Sequence, residues 1–310
     1  MTRVAIWAGA DQVPLLRRAI DAGTFETPAI GCSDATGAVA LSQALNQPVE
    51  TDLRAVLSVD CDVIWIAAPR ALDADTRTML RSVNCPVATS APPPAALAEL
   101  LEEPDGGMPA TFIPLMRGGP TWAAAESALE GFGQIHCVHV SATAGDYQTS
   151  LRALLLDAVD LVTHLIGEPD EIWSAHAGQQ AVSADPTAEL SGHIAAAMRI
   201  GTKQAASLSI SDGGGSWIRR VVLLGDGGRI IVTDAGVSWT DPEGVNQEAA
   251  PTENRVTAGE LAAWHLKRLA EGRPQLRTTL AAAVVMETAR LSCLTRQVED
   301  PQQVHNMIGR

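Results

Sequence analysis

A turn near the start of the sequence carries residues that could hold a phosphate group. The apolar run Val4–Trp7 is followed by Ala8-Gly9-Ala10-Asp11-Gln12-Val13, where an amphipathic segment begins. In such strand–helix turns, glycines let backbone amides approach a dinucleotide pyrophosphate. An acid about 25 residues further on can bind the ribose, and Asp34 stands at that distance. The candidates for binding NAD or NADP are therefore Ala8, Gly9, Ala10, Asp11, Gln12 and Asp34.

Two features leave the function of this turn open. Alanine stands at two positions where the fingerprint has glycine, and the charge of Asp11 would repel phosphate unless its side chain points away. The turn is either a modified cradle or a vestigial connection in which Asp11 caps the helix. Asp34 either favours NAD by repelling the 2′-phosphate of NADP, or is a loop or cap residue before Thr36.

The elements that must position this turn alternate between strand and helix over roughly the first 110 residues, which predicts a parallel sheet. The predicted strands are Val4–Trp7, Ala29–Ser33, Asp62–Ala67 and Pro86–Thr89. The predicted helices are Val13–Ala22, Ala38–Leu45, Thr51–Leu57 with Thr51 as N-cap, Asp73–Ser82 and Ala95–Leu101. Proline, glycine and acidic residues over Glu102–Pro109 indicate a boundary between domains 1–108 and 109–310.

The second half contains consecutive strands without intervening helices, which predicts a large, open, mainly antiparallel sheet packed on helices. The predicted strands are Phe112–Met116, Gln134–Ala142, Gly192–Ile200, Lys203–Ile210, Trp217–Leu224 and Arg229–Val232. The predicted helices are Thr121–Leu129, Leu151–Leu165, Ala258–Ala270 and Thr278–Arg296. Small residues at Ala205, Ser207 and Ser209 suit either a dimer surface or a solvated sheet face. The fold class is thus α/β, with a doubly wound parallel sheet followed by an α+β domain.

The composition excludes several classes of function. A formal net charge of −14 disfavours binding to nucleic acid and to anionic membranes. Five dispersed cysteines without a CxxC pair argue against a disulfide framework and a zinc site. His136 and His139 face opposite sides of a strand, so no metal site is predicted. Neither a signal peptide nor a long apolar span is evident, which favours a cytoplasmic protein.

Six segments together resemble the glucose–fructose oxidoreductase, inositol dehydrogenase and MocA-like family (Gfo/Idh/MocA) over nearly the whole chain. They are Thr51–Leu53, Asp62–Pro69, Arg117 with Gly131–Gly133, His164–Pro169, Trp217–Ile230 and Leu261–Pro274. The resemblance implies a Rossmann-type domain and a second domain whose sheet forms homodimers or higher homo-oligomers. It also implies NAD(P)-dependent oxidation of a sugar or cyclitol, although fold alone does not decide function.

The resemblance assigns cofactor residues, and the sequence departs from the family pattern at two positions of one motif. Ala67-Ala68-Pro69 matches a turn whose backbone lines the cofactor. The family's E-K-P motif falls on Ser90-Ala91-Pro92, where alanine can neither donate a hydrogen bond nor transfer a proton. The chain's two lysines, Lys203 and Lys267, belong to a later strand and helix and are poor replacements.

The family's catalytic histidine falls on Asp157 when Asp160 and Gly167 are aligned, and its aspartate partner falls on Ala153. Asp157 is a candidate base, because burial can raise a carboxyl pKa towards neutrality, or else a carboxylate on the helix surface. Tyr147 is a second catalytic candidate, or else a buried structural tyrosine. The candidates for contacting substrate are Arg117, Arg152, Asp160 and His164; solvated arginines and a structural histidine are the alternatives.

Three hypotheses follow from these residues. The first is an NAD(P)-dependent oxidoreductase with an altered site that uses Asp157 or Tyr147. The second is a noncatalytic relative, either a ligand sensor or a subunit paired with an active paralogue, in which no cofactor need bind. The third, a non-redox enzyme, has no specific support in the sequence. A polar small molecule is the expected substrate of the first.

Overall fold

The computed structural model describes residues 1–68, 72–92, 109–144, 150–186, 188–251, 255–273 and 280–308. Pro69, Tyr147 and the predicted helix Ala95–Leu101 lie outside the described residues. No helix within these ranges is long and apolar enough to cross a membrane.

Five strands of the described chain form a parallel sheet in the order β2-β1-β3-β4-β5. They are β1 Val4–Trp7, β2 Ile30–Gly31, β3 Val63–Ile66, β4 Val87–Thr89 and β5 Thr111–Phe112. A parallel bridge from Gly31 to Glu50 extends the sheet beyond β2. With the bridging segment at Glu50 counted as the third strand along the chain, the strands have the 3-2-1-4-5-6 order of Rossmann-type sheets. The predicted doubly wound parallel sheet is therefore confirmed.

Helices connect these strands, and aspartates begin three of them. The helices are α1 Val13–Gly23, α2 Ala35–Leu45, α3 Leu53–Leu57 and α4 Ala74–Arg81. The carboxylates of Asp34, Asp52 and Asp73 accept a backbone N–H at the starts of α2, α3 and α4. The prediction of Thr51 as a cap is wrong, because Asp52 occupies the N-cap of α3.

The second sheet has eight strands in the order β13-β12-β11-β10-β6-β9-β8-β7, and only β6 and β9 pair in parallel among those described. The strands are β6 Ile135–Ala144, β7 Glu171–Ala177, β8 His193–Ile200, β9 Gln204–Ser211, β10 Trp217–Gly225, β11 Gly228–Thr233, β12 Gly236–Thr240 and β13 Asn246–Pro251. The large, mainly antiparallel sheet is therefore confirmed. The predicted strand Phe112–Met116 is wrong beyond Phe112, because the chain leaves the parallel sheet there.

Five helices belong to the second half of the chain as described. They are α5 Gly119–Leu129, α6 Leu151–Ile166, α7 Ala258–Ala270, α8 Leu280–Thr295 and α9 Pro301–Ile308. Helix α6 packs on strands β6 and β9, whereas α7 packs on α1 of the parallel sheet. The two helices α1 and α7 meet closely at Gly259, where a Cβ atom would lie 2.6 Å from Cβ of Arg18.

One hydrophobic cluster runs through both sheets. It joins residues of the parallel sheet such as Ile6 and Trp65 to Val140 and Leu208 of the larger sheet. A second, smaller cluster covers the other face of the parallel sheet. Because β5 pairs with β4, the parallel sheet extends to Phe112, and the boundary at residue 108 stays a prediction.

Candidate functional site

The carboxyl ends of the parallel strands lie along one edge of the sheet. Four residues that directly follow a strand continue its hydrogen bonding there: Ala8 donates to Gly31, Ala67 to Trp7, Ser90 to Ile66 and Ile113 to Thr89, over 2.8–3.0 Å. The strand order reverses beside β1, and ligands of open α/β sheets bind at such a reversal. The structure therefore brings the predicted turn at Ala8 together with the predicted cofactor residues Ala67 and Ala68.

The turn after β1 is a short 3-10 segment, Ala10–Gln12, with Gly9 as its N-cap. The carboxylate of Asp11 folds over Gly9, because a Cβ atom built on Gly9 would lie 2.3 Å from Oδ1 of Asp11. Pro14 stands in the first turn of α1 and has no N–H, so it removes one amide that an anion could use. No side-chain cap bond forms at Gly9 or Gln12, so the interpretation of Asp11 as the helix cap is wrong.

Asp34 is a cap residue, as one of the two alternatives considered for it expects. Its Oδ1 accepts the N–H of Gly37 over 2.6 Å and so caps α2. Its Oδ2 lies 3.5 Å from the thiol of Cys32, and the side chain stays exposed at the end of β2. A cap in this place still presents a carboxylate where a ribose would lie.

The described residues fit an NAD-type dinucleotide in part. The backbone edge at Ala8 and Ala67 and the carboxylate of Asp34 suit its nucleoside half. Asp11 places a negative charge beside Gly9, where the pyrophosphate would approach the turn. Because Asp11 is exposed, its carboxylate can rotate away, but rotation costs part of any binding free energy.

Asp157 lies in the middle of α6 and is only 3% exposed, so the alternative of a surface carboxylate is wrong. It accepts the backbone N–H of Leu115 over 2.6 Å and that of Met116 over 3.0 and 3.1 Å. Burial raises the pKa of Asp157 to about 7, and the two backbone hydrogen bonds oppose this rise. The carboxylate therefore fastens α6 to the segment that follows β5.

A small cavity lies between Asp157 and the carboxyl edge of the sheet. Its volume of about 20 Å³ is enough for one water molecule. Apolar groups of α1, β5, α6 and α7 line it together with Ser90 and Asp157. Asp157 is the one ionisable side chain among the described residues of its lining.

Arg219 is a site residue that the sequence analysis missed. It is 1% exposed, and its Nη1 donates to the carbonyl oxygens of Leu115, Met116 and Gly118 over 3.0–3.3 Å. Its Nε lies 3.1 Å from Oδ1 of Asp234. The alternation of β10 carries a signal for it, because Arg219 shares the inward face with Val221 and Leu223.

Two candidates for contacting substrate form an ion pair with each other. Nε of Arg117 lies 2.6 Å from Oδ2 of Asp160, and both side chains are buried. The interpretation of Arg117 as a solvated arginine is therefore wrong. Burial raises the pKa of Asp160, although Arg117 opposes the rise. His164, one helical turn further along α6, is exposed.

Arg152 lies in the first turn of α6 and is also buried rather than solvated. Its Nη1 donates to the carbonyl oxygen of Pro186. A third buried ion pair, Arg290 with Glu287 at 2.6 Å, belongs to α8, and Glu287 acts electrostatically on Arg152. Burial lowers the pKa of the Arg152 guanidinium. The described residues contain no group of three or more side chains arranged to hold a metal ion.

No protein-family model matches the chain, and no curated protein matches it. Solved structures do match. An oxidoreductase from Agrobacterium radiobacter in complex with NAD+, L-tartaric acid and magnesium has a TM-score of 0.71 at 15% identity, covering 97% of this chain and 99% of that one. A levoglucosan dehydrogenase in complex with NADH and L-sorbose has a TM-score of 0.70 at 14% identity, covering 97% of this chain and 99% of that one.

UDP-N-acetylglucosamine 3-dehydrogenase from Acidithiobacillus ferrooxidans has a TM-score of 0.71 at 16% identity, covering 95% of this chain and 97% of that one. These neighbours are oxidoreductases of the Gfo/Idh/MocA type. At such identities the likeness shows the fold, and the fold expected from the sequence is confirmed over nearly the whole chain.

Proposed function

We propose that the chain is a noncatalytic relative of the NAD-dependent sugar dehydrogenases, acting as a ligand sensor or as the partner subunit of an active relative. The supporting observation is that the described charged candidates of α6 are bound within the protein. Asp157 binds backbone amides, Asp160 binds Arg117, and Arg152 binds a carbonyl oxygen. At the position of the family lysine, Ala91 is fully buried and brings no functional group.

The proposed ligand at the carboxyl edge is an NAD-type nucleotide, bound weakly. Neighbours solved with NAD+ or NADH support this ligand class. Asp34 favours NAD over NADP because it would repel a 2′-phosphate, and Asp11 weakens the binding of either. A polar small molecule, sugar-like or cyclitol-like, is the proposed second ligand; L-tartaric acid and L-sorbose occur in the neighbours' structures.

We further propose a cytoplasmic homodimer that pairs through the open face of the eight-stranded sheet. One cross-strand row on this face consists of Trp173, Ala197, Ser207, His139 and Val222. His139 and Ser207 lie 2.8 Å apart and so satisfy each other. Trp173, Ile218 and Leu224 on the same face are 42–49% exposed, although they are large and apolar. A sheet face that combines small residues with exposed apolar side chains suits pairing with a second copy.

A dehydrogenase that uses Asp157 as its base is the second candidate. Its specific support is the carboxyl group of Asp157, which lies beside a cavity and has a pKa of about 7. A general base needs a pKa in this range. In that case Asp157 would accept the proton of a substrate hydroxyl group.

Titration of the purified chain with NADH and NADPH, followed by a screen for turnover of polyols, separates the two candidates. We expect NADH to bind at roughly 0.1–1 mM, more weakly than a working dehydrogenase requires, and no polyol to be oxidised. Steady turnover that Asp157→Asn abolishes in a folded variant would replace the proposal with the second candidate. If neither NADH nor NADPH binds at concentrations up to about 1 mM, the proposed ligand is a protein partner and not a nucleotide.

A further inference from the structure

Two of the five cysteines are in contact. All five lie within the described residues and are reduced, and Sγ of Cys61 lies 3.6 Å from Sγ of Cys85. Both side chains are half-buried, so small molecules can reach them. The other three cysteines, Cys32, Cys137 and Cys293, have no comparable thiol partner.

The contact ties together two adjacent strands. Cys61 lies just before β3 and Cys85 just before β4, and these strands are hydrogen-bonded in parallel from the pair Ile64 and Val87 onwards. The flanking backbone is therefore fixed by the sheet, and the two thiols are held together rather than meeting by chance. Forming a disulfide of about 2.05 Å would require the sulfur atoms to close a gap of roughly 1.6 Å, which side-chain rotation can supply.

We propose that Cys61 and Cys85 form a reversible intramolecular disulfide, a modification site that goes beyond the proposed function. The oxidant is a small disulfide such as oxidised glutathione. One protein thiolate attacks it, its S–S bond breaks, and one glutathione thiol leaves. The second protein thiol then attacks the mixed disulfide, the Cys61–Cys85 bond forms, and a second glutathione thiol leaves. The two protons of the protein thiols end on the two glutathione thiols.

Burial and the contact with Cys85 raise the pKa of Cys61 to about 12, so its thiolate is scarce at neutral pH and exchange through it is slow. The bond would close a loop between residues 24 positions apart, which contains α4 and the turn at Ala67–Ala68.

The test is to treat the folded full chain with oxidised glutathione and to map the linked peptides after trypsin digestion. We expect two of the five thiols to disappear, and peptide 55–70 to be linked to peptide 82–117. Dithiothreitol should restore both thiols. The oxidised chain should melt about 5 °C higher than the reduced chain, because the cross-link restricts the unfolded state.

Variants separate this pair from the remaining cysteines. Cys137→Ser and Cys293→Ser should retain the linked peptides and the rise in Tm, whereas Cys85→Ser should lose both. Cys61→Ser should accumulate glutathione on Cys85 in place of the link. The proposal is overturned if the wild-type chain keeps five thiols while an unstructured dithiol peptide in the same solution is oxidised. A link that joins two chains or involves another cysteine also overturns it, and neither outcome depends on a variant folding.

Discussion

Asp157 and Arg219 bind the same stretch of backbone, Leu115–Gly118, through complementary groups. The carboxylate accepts two N–H groups of this stretch, and the guanidinium donates to three of its carbonyl oxygens. The stretch connects β5 to α5 without regular secondary structure. Buried polar side chains whose hydrogen bonds are satisfied therefore fix the position of this connection, which has no regular backbone pairing of its own.

Removing the guanidinium should unfasten this connection. Arg219→Met leaves the carbonyl oxygens without their side-chain donor and removes the cation that faces the buried carboxylate of Asp234. We expect the free energy of unfolding to fall by about 3–5 kcal/mol in urea titrations. Arg54→Met, at an exposed position of α3 away from the open sheet face, should change it by less than about 0.5 kcal/mol. Equal effects of the two substitutions would contradict the role given to Arg219.

The titration of Asp157 should make stability depend on pH. Its folded pKa of about 7 lies above the ordinary value of 3.8, so the folded chain binds more protons than the unfolded chain between these values. Its contribution to stability is therefore complete below about pH 4 and is lost as the pH rises through 7.

Asp157→Asn removes this titration. The free energy of unfolding of the wild type minus that of the variant therefore measures the contribution of Asp157 titration to stability. This difference should fall by a few kcal/mol between pH 4 and pH 8, since one pKa unit corresponds to about 1.4 kcal/mol. Paired urea titrations at several pH values measure it. A difference that stays constant, or that grows with pH, would show that burial does not raise this pKa.

Removal of the Asp11 charge should strengthen nucleotide binding. Asp11→Asn keeps the size of the side chain beside Gly9 and abolishes its repulsion of a pyrophosphate. An interaction of about 1 kcal/mol at an exposed site corresponds to a roughly fivefold lower Kd for NADH. Asp21→Asn is the matched control, because this exposed residue lies near the other end of α1. An unchanged Kd for Asp11→Asn would place the nucleotide elsewhere.

A charge on the open sheet face should disrupt the homodimer. Ala197 is exposed in the row defined above, between Trp173 and Ser207, so Ala197→Arg would place a charged side chain in the proposed interface of each chain. Light scattering after size exclusion should give twice the chain mass for the wild type and a single chain for this variant. Val245→Arg changes an apolar residue, 56% exposed and outside the row, and should remain dimeric. A monomeric wild type would rule out the interface.

The parts of the fold that the sequence predicts are those with strong local patterns. Helix α7 has the predicted bounds, because its amphipathic pattern begins at a capping box of Thr257 and Glu260. Strands β7, β12 and β13 and helix α9 were not predicted. Strand β7 lies at the edge of its sheet and alternates inward Ile172 and Ser174 with exposed positions, a weak hydrophobic signal over a short segment.

The candidate site was predictable in its residues but not in their contacts. The sequence pattern places Asp157 on a helix and the resemblance singles it out, but nothing local indicates that its hydrogen-bond donors come from residues 41 and 42 positions earlier. Arg117 and Asp160 were both singled out, yet their pairing is a tertiary contact across 43 positions. Sequence spacing specifies neighbours within one helix or strand, whereas packing decides which side chains a buried charge meets.

The contact between α1 and α7 has a consequence for synthesis of the chain. Leu15, Leu16 and Ala19 of α1 belong to the same cluster as Leu261 and Leu266 of α7. The ribosome releases the first sheet long before the helix that covers α1 has been made. The apolar surface of α1 that α7 covers therefore stays exposed until α7 has been synthesised.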